Sequence, residues 1–230
     1  MYFEHSPAIW TAFPELVAGV LIADGIGGDP ALAQQIQRLE SIAAERLSSS
    51  SEGDLPEIQA WRRTFSRMGL KPTQYRCASE SLLRRFRKEG SLPSIHPLID
   101  LCNAVSLAYA IPIAVFDTAS IVDCLQVRHA TGEETYLTFS GDTERPDPGE
   151  VIFADAENQA HARRWTNRQS RLSAVQPSTS RALIVAEALH PTAARDVPRL
   201  LDTLTNELKV AWPTISTSAI LNADAPRFDF

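Results

Sequence analysis

No uninterrupted apolar run in this sequence approaches the ~20 residues that a membrane-crossing helix needs. The longest early run, Leu16–Ala23, stops far short. The N-terminus lacks the basic, then apolar, then small-residue order of a secretory leader. Cysteine is scarce: Cys77, Cys102 and Cys124 are odd in number, widely spaced and never in a CxxC pair. That excludes a disulfide framework and a structural zinc site as readings of the pattern. Five histidines (His5, His96, His129, His161 and His190) share no metal-ligand spacing and read as capping, surface or core residues. Also missing are the GxSxG elbow, the phosphate-binding GxxxxGK[ST] loop and HExxH. GIGGD at 25–29 lacks the GxGxxG spacing and is read as a turn. No metal and no cofactor is expected, no membrane partner either, and the cytoplasm is the expected location.

What is present suits a globular protein. Of 230 residues, 44% are apolar and 22% charged, enough to bury a sizeable core. The net charge of −6 is uneven. Between Arg62 and Lys88 stand nine Lys or Arg and one acid, Glu80, so this segment carries +9 − 1 = +8 and the remainder −14. A second, acid-free run from Asn158 to Ala186 holds Arg163, Arg164, Arg168, Arg171 and Arg181. Basic clusters on an acidic chain point to local anion sites, against the plainer reading of a solvated helix face.

Along the chain, AIWTAF and ELVAGVLIAD read as two short strands joined at Pro14. Asp29-Pro30 reads as a helix start, with Leu32, Ile36, Leu39 and Ala43 at helical spacing. SSSSEGD, 48–54, reads as a flexible connection. Pro56 opens a helix with the stripe Ile58, Trp61, Phe65, Met68, and Gly69 closes it. The next helix is capped by Ser79 and stopped by Gly90. It buries Leu82, Leu83 and Phe86 and sets Arg84, Arg85, Arg87 and Lys88 on its other side. A third helix, about 97–109, feeds the strand IPIAVFD. The runs SIVDCLQVRHA, EETYLTFS and GEVIFADA, bounded by turn residues, predict an antiparallel meander. RALIVAEAL reads as a further strand and 196–212 as a terminal helix. With no alternating βαβ order, the fold class is α+β.

Two segments call for a role beyond packing. Asp100 and Asn103 share one face of the apolar helix at 97–109. HARRWTNRQS, 161–170, crowds arginine, indole, hydroxyl and amide groups in a way that suits a planar or anionic ligand.

The stretch from Trp61 to Ile121, with RHATGEE, PDPGEVIFAD and RRWTNRQS after it, resembles the B3/B4 domain, the tRNA-editing domain of the bacterial phenylalanyl-tRNA synthetase beta subunit. The resemblance is to its free-standing relatives and covers about 61–189. Its most specific parts are D-x-x-N leading into P-x-x-x-F-D (Asp100, Asn103, Pro112, Phe116, Asp117) and GEVIFAD at 149–155. It implies a single domain over 1–230, with an N-terminal strand–helix extension over 1–54. It also implies a three-layer α+β fold of mixed and antiparallel sheets packed with helices, with a pocket between sheet and helices. In the synthetase this domain hydrolyses tyrosine wrongly esterified to the phenylalanine tRNA. The expected function is therefore a trans-editing hydrolase that deacylates mischarged aminoacyl-tRNA, and not a synthetase. The alternative is a non-catalytic module for tRNA or an amino-acid-like ligand. The expected partner is tRNA or aminoacyl-tRNA rather than DNA.

This chain departs from the family at two places. Where the synthetase has a pocket histidine ahead of F-D stands Ala114, and ARRWTNRQS replaces a Gly-rich turn. An aminoacyl ester is an activated bond, so a placed water and a polarised carbonyl can replace the histidine. Asn103, Thr166, Asn167 and Glu133 are the candidate catalytic groups. Arg163, Arg164, Trp165, Arg168 and Asp100 are the candidate substrate contacts, with Asp100 also expected to fix neighbouring loops. Arg62, Arg63, Arg84, Arg85, Arg87 and Lys88 are the candidate RNA contacts.

Overall fold

The α+β fold is built around two strands that are apolar at nearly every position. The computed structural model describes residues 1–213 and 215–230. β2 (Val17–Asp24) and β10 (Arg181–Ala188) pair antiparallel at the centre of a four-stranded sheet, flanked by β11 (Ile215–Leu221) and β3 (Ile113–Asp117). Side chains alternate across a strand, so an unbroken apolar run buries both faces. Val20, Ile22, Leu183 and Val185 enter one core, whereas Leu21, Ala23, Ile184 and Ala186 enter the other.

The second of these cores is covered by α2 (Ala33–Ser49), α5 (Pro97–Tyr109) and α6 (Ala193–Ala211). At Gly19 a Cβ would stand 2.6 Å from Val197 Cγ1, so glycine is what lets α6 lie this close to β2. The first core lies against a six-stranded sheet. Its order is β12 (Arg227–Asp229), β1 (Tyr2–His5), β4 (Cys124–His129), β7 (Val151–Asp155), β8 (Ala160–Arg163) and β9 (Arg168–Gln169). α3 (Pro56–Arg67) and α4 (Ala78–Glu89) close its side with Trp61, Phe65, Leu83 and Phe86. A two-stranded ribbon, β5 (Tyr136–Leu137) with β6 (Thr143–Glu144), completes the strands. No helix among the described residues is long and apolar enough to cross a membrane.

Several local expectations are corrected. AIWTAF is not a strand: Pro7 opens a six-residue helix, α1 (Pro7–Ala12), which buries Ile9 and Trp10. Six residues are too few to display a helical period in the sequence. α2 begins three residues after Pro30 and runs through Ser49. SSSSEGD is not a loose connection, because Ser51 and Asp54 form a capping box around a 3₁₀ turn whose Glu52 is buried. Ser79 does not cap α4; it lies buried in the first turn behind Cys77. The expected meander holds only in part: β4, β7, β8 and β9 pair antiparallel in turn, but EETYLTFS falls outside it and supplies β5 of the separate ribbon, and β1 joins β4 in parallel. Nothing in the alternation of 2–5 announced that long-range pairing.

A small cavity with a buried carboxylate

The segment 161–170 is a hairpin, and its tip forms one wall of a cavity. Arg163 pairs with Arg168 across β8 and β9, and the chain reverses over the four residues between them. Arg164 and Trp165 both take left-handed backbone angles, φ +50° and +56°. Non-glycine residues there cost about 1–2 kcal/mol each, so the fold must supply compensation. It does: the Arg164 N–H donates to Glu150 Oε1 at 2.8 Å and the Trp165 N–H to the Val151 carbonyl at 2.7 Å. The Trp165 indole is fully buried, edge-on to Trp61 at 5.1 Å and to Phe13 at 4.9 Å. Beyond it, Asn167 Nδ2 donates to the Arg76 carbonyl at 2.7 Å and Gln169 Nε2 to the Val115 carbonyl at 2.6 Å. The Ala78 N–H donates to the Thr166 carbonyl at 2.8 Å, which ties the start of α4 to the hairpin tip.

Between this tip, β3 and β10 lies a cavity of about 60 Å³, lined in part by Ala114, Trp165, Thr166, Arg168, Gln169 and Glu187. That is room for a few waters or for a small organic group. Its walls are mostly apolar, but two polar groups stand out. Thr166 Oγ1 is buried without a partner. Glu187, only 2% exposed, accepts at Oε1 from Trp165 Nε1 at 2.9 Å and from His5 Nε2 at 2.6 Å. Its other oxygen has no protein partner among the described residues. A carboxylate oxygen can accept more than one hydrogen bond, so Oε2 keeps its capacity to accept.

The expected site residues do not share one place. Thr166, Asn167, Arg168 and Trp165 line the cavity, and so does Ala114, at the position where the resemblance places a histidine. Arg163 does not face it. Arg163 is 4% exposed and held bidentately by Glu150 at 2.8 and 2.9 Å and by Glu144 at 2.7 Å. Burial alone would raise the Glu150 carboxyl, but the paired guanidinium and the Arg164 N–H outweigh it and hold the group below its ordinary value. Arg164 stacks its guanidinium 4.8 Å from the Tyr75 ring and lines a neighbouring cleft with Asp147 and Pro148. Arg168, over Tyr136 at 5.4 Å and 3.3 Å from Glu144, is the arginine at the cavity itself.

Asp100 and Asn103 lie elsewhere. Both line a separate cleft between α5, Glu40 of α2 and the segment 91–94. Asp100 fixes the loop ahead of its own helix: it accepts from Ser94 Oγ at 2.6 Å and from the Ile95 and His96 N–H groups at 2.8 and 3.4 Å. His96 caps that helix by accepting the Leu98 N–H at Nδ1, as its place before Pro97 suggested. Glu133 is an exposed turn residue whose N–H donates to Thr131 Oγ1, and it lies in neither cleft. The acid and amide that share a helix face are thus not brought to the arginine-rich hairpin.

The basic segment is more compensated than its sequence implies. Glu80 is shared by Arg62 at 2.7 Å and Arg76 at 3.3 Å, and Glu52 by Arg84 at 3.0 Å and Arg87 at 2.9 Å; Arg85 pairs with Glu89 at 2.9 Å. Each shared carboxylate leaves one positive charge over, so a reduced basic surface persists. Arg63, Lys71 and Lys88 carry no ion pair among the described residues. Two site residues were missed by sequence reasoning, His5 and Glu187. An acid inside the apolar strand RALIVAEAL was a signal of the same kind as Asp100 in its helix. For His5 there was no local signal.

With the geometry in place, the chain can be set beside known proteins. A family model described as the B3/4 domain matches residues 60–209. The chain is similar to the phenylalanine–tRNA ligase beta subunit of Haemophilus influenzae, 25% identical over 113 residues, which is 49% of this chain and 14% of that subunit. It is 34% identical over 74 residues to the same subunit of Cereibacter sphaeroides, covering 32% of this chain and 9% of the relative. The matched stretch therefore spans about a seventh, or less, of those subunits. Among solved structures, an N-terminal fragment of the phenylalanyl-tRNA synthetase beta subunit from Pyrococcus horikoshii superposes with a TM-score of 0.48. Its sequence identity is 9%, and the match covers 93% of this chain and 49% of that one.

Proposed function

The chain belongs to the B3/4 domain family, and from that premise we propose that it binds aminoacyl-tRNA in the cytoplasm and hydrolyses the ester of mischarged tRNA, seating the amino acid in the cavity beside Glu187. The observation that carries this reading is the cavity itself. It lies inside the family-matched stretch and takes in the Ala114 position. It also joins a buried hydrogen-bond acceptor to a mouth bearing Arg168 and Asn167.

A small amino-acid group with a hydrogen-bond donor would satisfy Glu187 Oε2. The ester carbonyl would then sit near the hairpin tip, where Arg168 can polarise it or hold the terminal phosphate. Thr166, whose hydroxyl has no partner among the described residues, and Asn167 would orient a water; their place in the cavity lining supports this. The residual positive charge of Arg63, Lys71, Lys88 and the shared arginine clusters supplies a surface for the tRNA backbone.

The test is a panel of charged and mischarged tRNAs, followed for loss of the ester. Faster loss than in buffer for a subset is expected, and no acceleration for any member rejects hydrolysis. A second reading, binding without hydrolysis, is favoured by one specific observation: among its described lining residues the cavity holds no histidine, cysteine or serine. In that case tRNA binds, with affinity that falls steeply as salt rises, and the ester survives.

A further inference from the structure

The carboxylate of the cavity is held from outside the family-matched stretch. That stretch begins at residue 60, yet the shortest contact to Glu187 comes from His5, on the N-terminal strand β1. His5 is 1% exposed. Its ring is held edge-on to Phe3 at 5.2 Å and tilted against Trp10 of α1 at 4.9 Å. Its Nδ1 is buried with no partner among the described residues, so among these the ring's one polar contact is from Nε2 to Glu187 Oε1. In the neutral ring the proton then sits on Nε2, the one nitrogen with an acceptor. Trp165 Nε1 donates to the same oxygen. Two donors on Oε1 fix the rotation of the carboxylate and keep Oε2 as its open acceptor.

We infer that His5 is a positioning residue of this site, and that the N-terminal segment carrying β1 and α1 supports the pocket without lining it: it orients Glu187 toward the amino-acid group of the ligand. The inference rests on the proposed reading for what Glu187 meets, but the link between His5 and Glu187 has a test of its own. Glutamine can place its amide nitrogen near the Nε2 position, whereas asparagine reaches only as far as Nδ1. His5→Gln and His5→Asn therefore remove the same ring and differ in whether the donor is restored.

The indole N–H signal of Trp165 in a nitrogen–proton correlation spectrum, assigned with Trp165→Phe, reports on the shared oxygen. It is expected to move in His5→Asn and to return toward its wild-type position in His5→Gln. On an aminoacyl-tRNA that the wild type hydrolyses, His5→Asn should raise KM about tenfold with kcat within about twofold, and His5→Gln should stay within about threefold on both, as the loss and recovery of one oriented hydrogen bond predict. Equal effects of the two substitutions, or an unmoved Trp165 signal in folded His5→Asn, would overturn the inference. If His5→Asn does not fold, Glu187→Gln, which keeps the volume, must shift the His5 imidazole signals, and unshifted signals overturn it equally. If the wild type hydrolyses no aminoacyl-tRNA, the proposed function falls while the indole comparison still decides the role of His5.

Discussion

The indole nitrogen of Trp165 and Oε1 of Glu187 are 2.9 Å apart, joining the hairpin tip to the central strand of the other sheet. Trp165→Phe keeps most of the packing against Trp61 and Phe13 but deletes the donor. A hydrogen bond to a charged group contributes about 1.5–3 kcal/mol, so a loss of that order is expected in urea unfolding. Trp165→Ala should cost more, about 3–5 kcal/mol, because the cavity left behind adds to it. No loss in Trp165→Phe would mean that the bond contributes nothing.

Glu150 and Arg163 form a buried, bidentate pair, with side chains 6% and 5% exposed. Glu150→Gln leaves the guanidinium with Glu144 as its main counter-charge and turns one of the two accepting oxygens into an NH2 donor. A loss of about 3 kcal/mol is expected, as for breaking a buried pair from one side. The exposed pair Arg85–Glu89 is the control, and Glu89→Gln should change stability by less than about 1 kcal/mol. Chemical denaturation of both variants tests the contrast.

Acid stability should be governed by depressed carboxylates. Burial alone would raise Glu134, but the Thr131 and Gly132 N–H groups and Arg128 overcome it and bring the group down to about 2 from 4.5. Glu150 and Asp155 are held below their ordinary values as well. A group whose folded pKa is depressed takes up its proton first in the unfolded state. Its stabilisation is therefore complete above the unfolded value and is lost as pH falls from 4.5 toward 2. Melting temperature should be flat above that window and drop within it, and Glu134→Gln should make the drop shallower. A melting temperature that stays constant down to pH 2 would contradict this.

Gly19→Ala tests the close approach of α6 to β2. The added Cβ would stand 2.6 Å from Val197 Cγ1, so Val197 must shift, at a cost of about 1–3 kcal/mol. Val197→Ala removes the clashing methyls. The double variant should be less destabilised than the sum of the two single changes. Simple additivity would place the strain elsewhere.

Asp100→Ala removes the acceptor for Ser94, Ile95 and His96. By analogy with loss of a helix cap, it should cost about 1–2 kcal/mol. The amides of Ile95 and His96 should lose protection against hydrogen exchange. Unchanged protection would show that the loop is held by other contacts.

Much of the fold was legible because its signals are local. The stripe Ile58, Trp61, Phe65 announced α3, Gly90 ended α4 in a left-handed turn, and the unbroken apolar runs at 17–24 and 181–188 announced strands buried on both faces. Those patterns, with the absence of a βαβ alternation, determined the α+β class, and the D-x-x-N and GEVIFAD motifs determined the family. The site was legible only in part. Thr166, Asn167 and Arg168 do reach the cavity, but the same hairpin turns Arg163 inward to Glu150 and Arg164 outward to Tyr75. Neighbours in the chain diverge there because two consecutive left-handed residues rotate successive side chains away from one another. Glu52 settles under Arg84 and Arg87, and His5 meets Glu187 across a separation of 182 residues. The sequence alone determined the longer helices and the strands buried on both faces, since periodicity and capping act over a few residues, but not the short helix at 7–12 or the C-terminal strands. Only the tertiary structure decided which charges are free and which carboxylate faces the cavity, because those outcomes depend on partners that the packing of two sheets brings together.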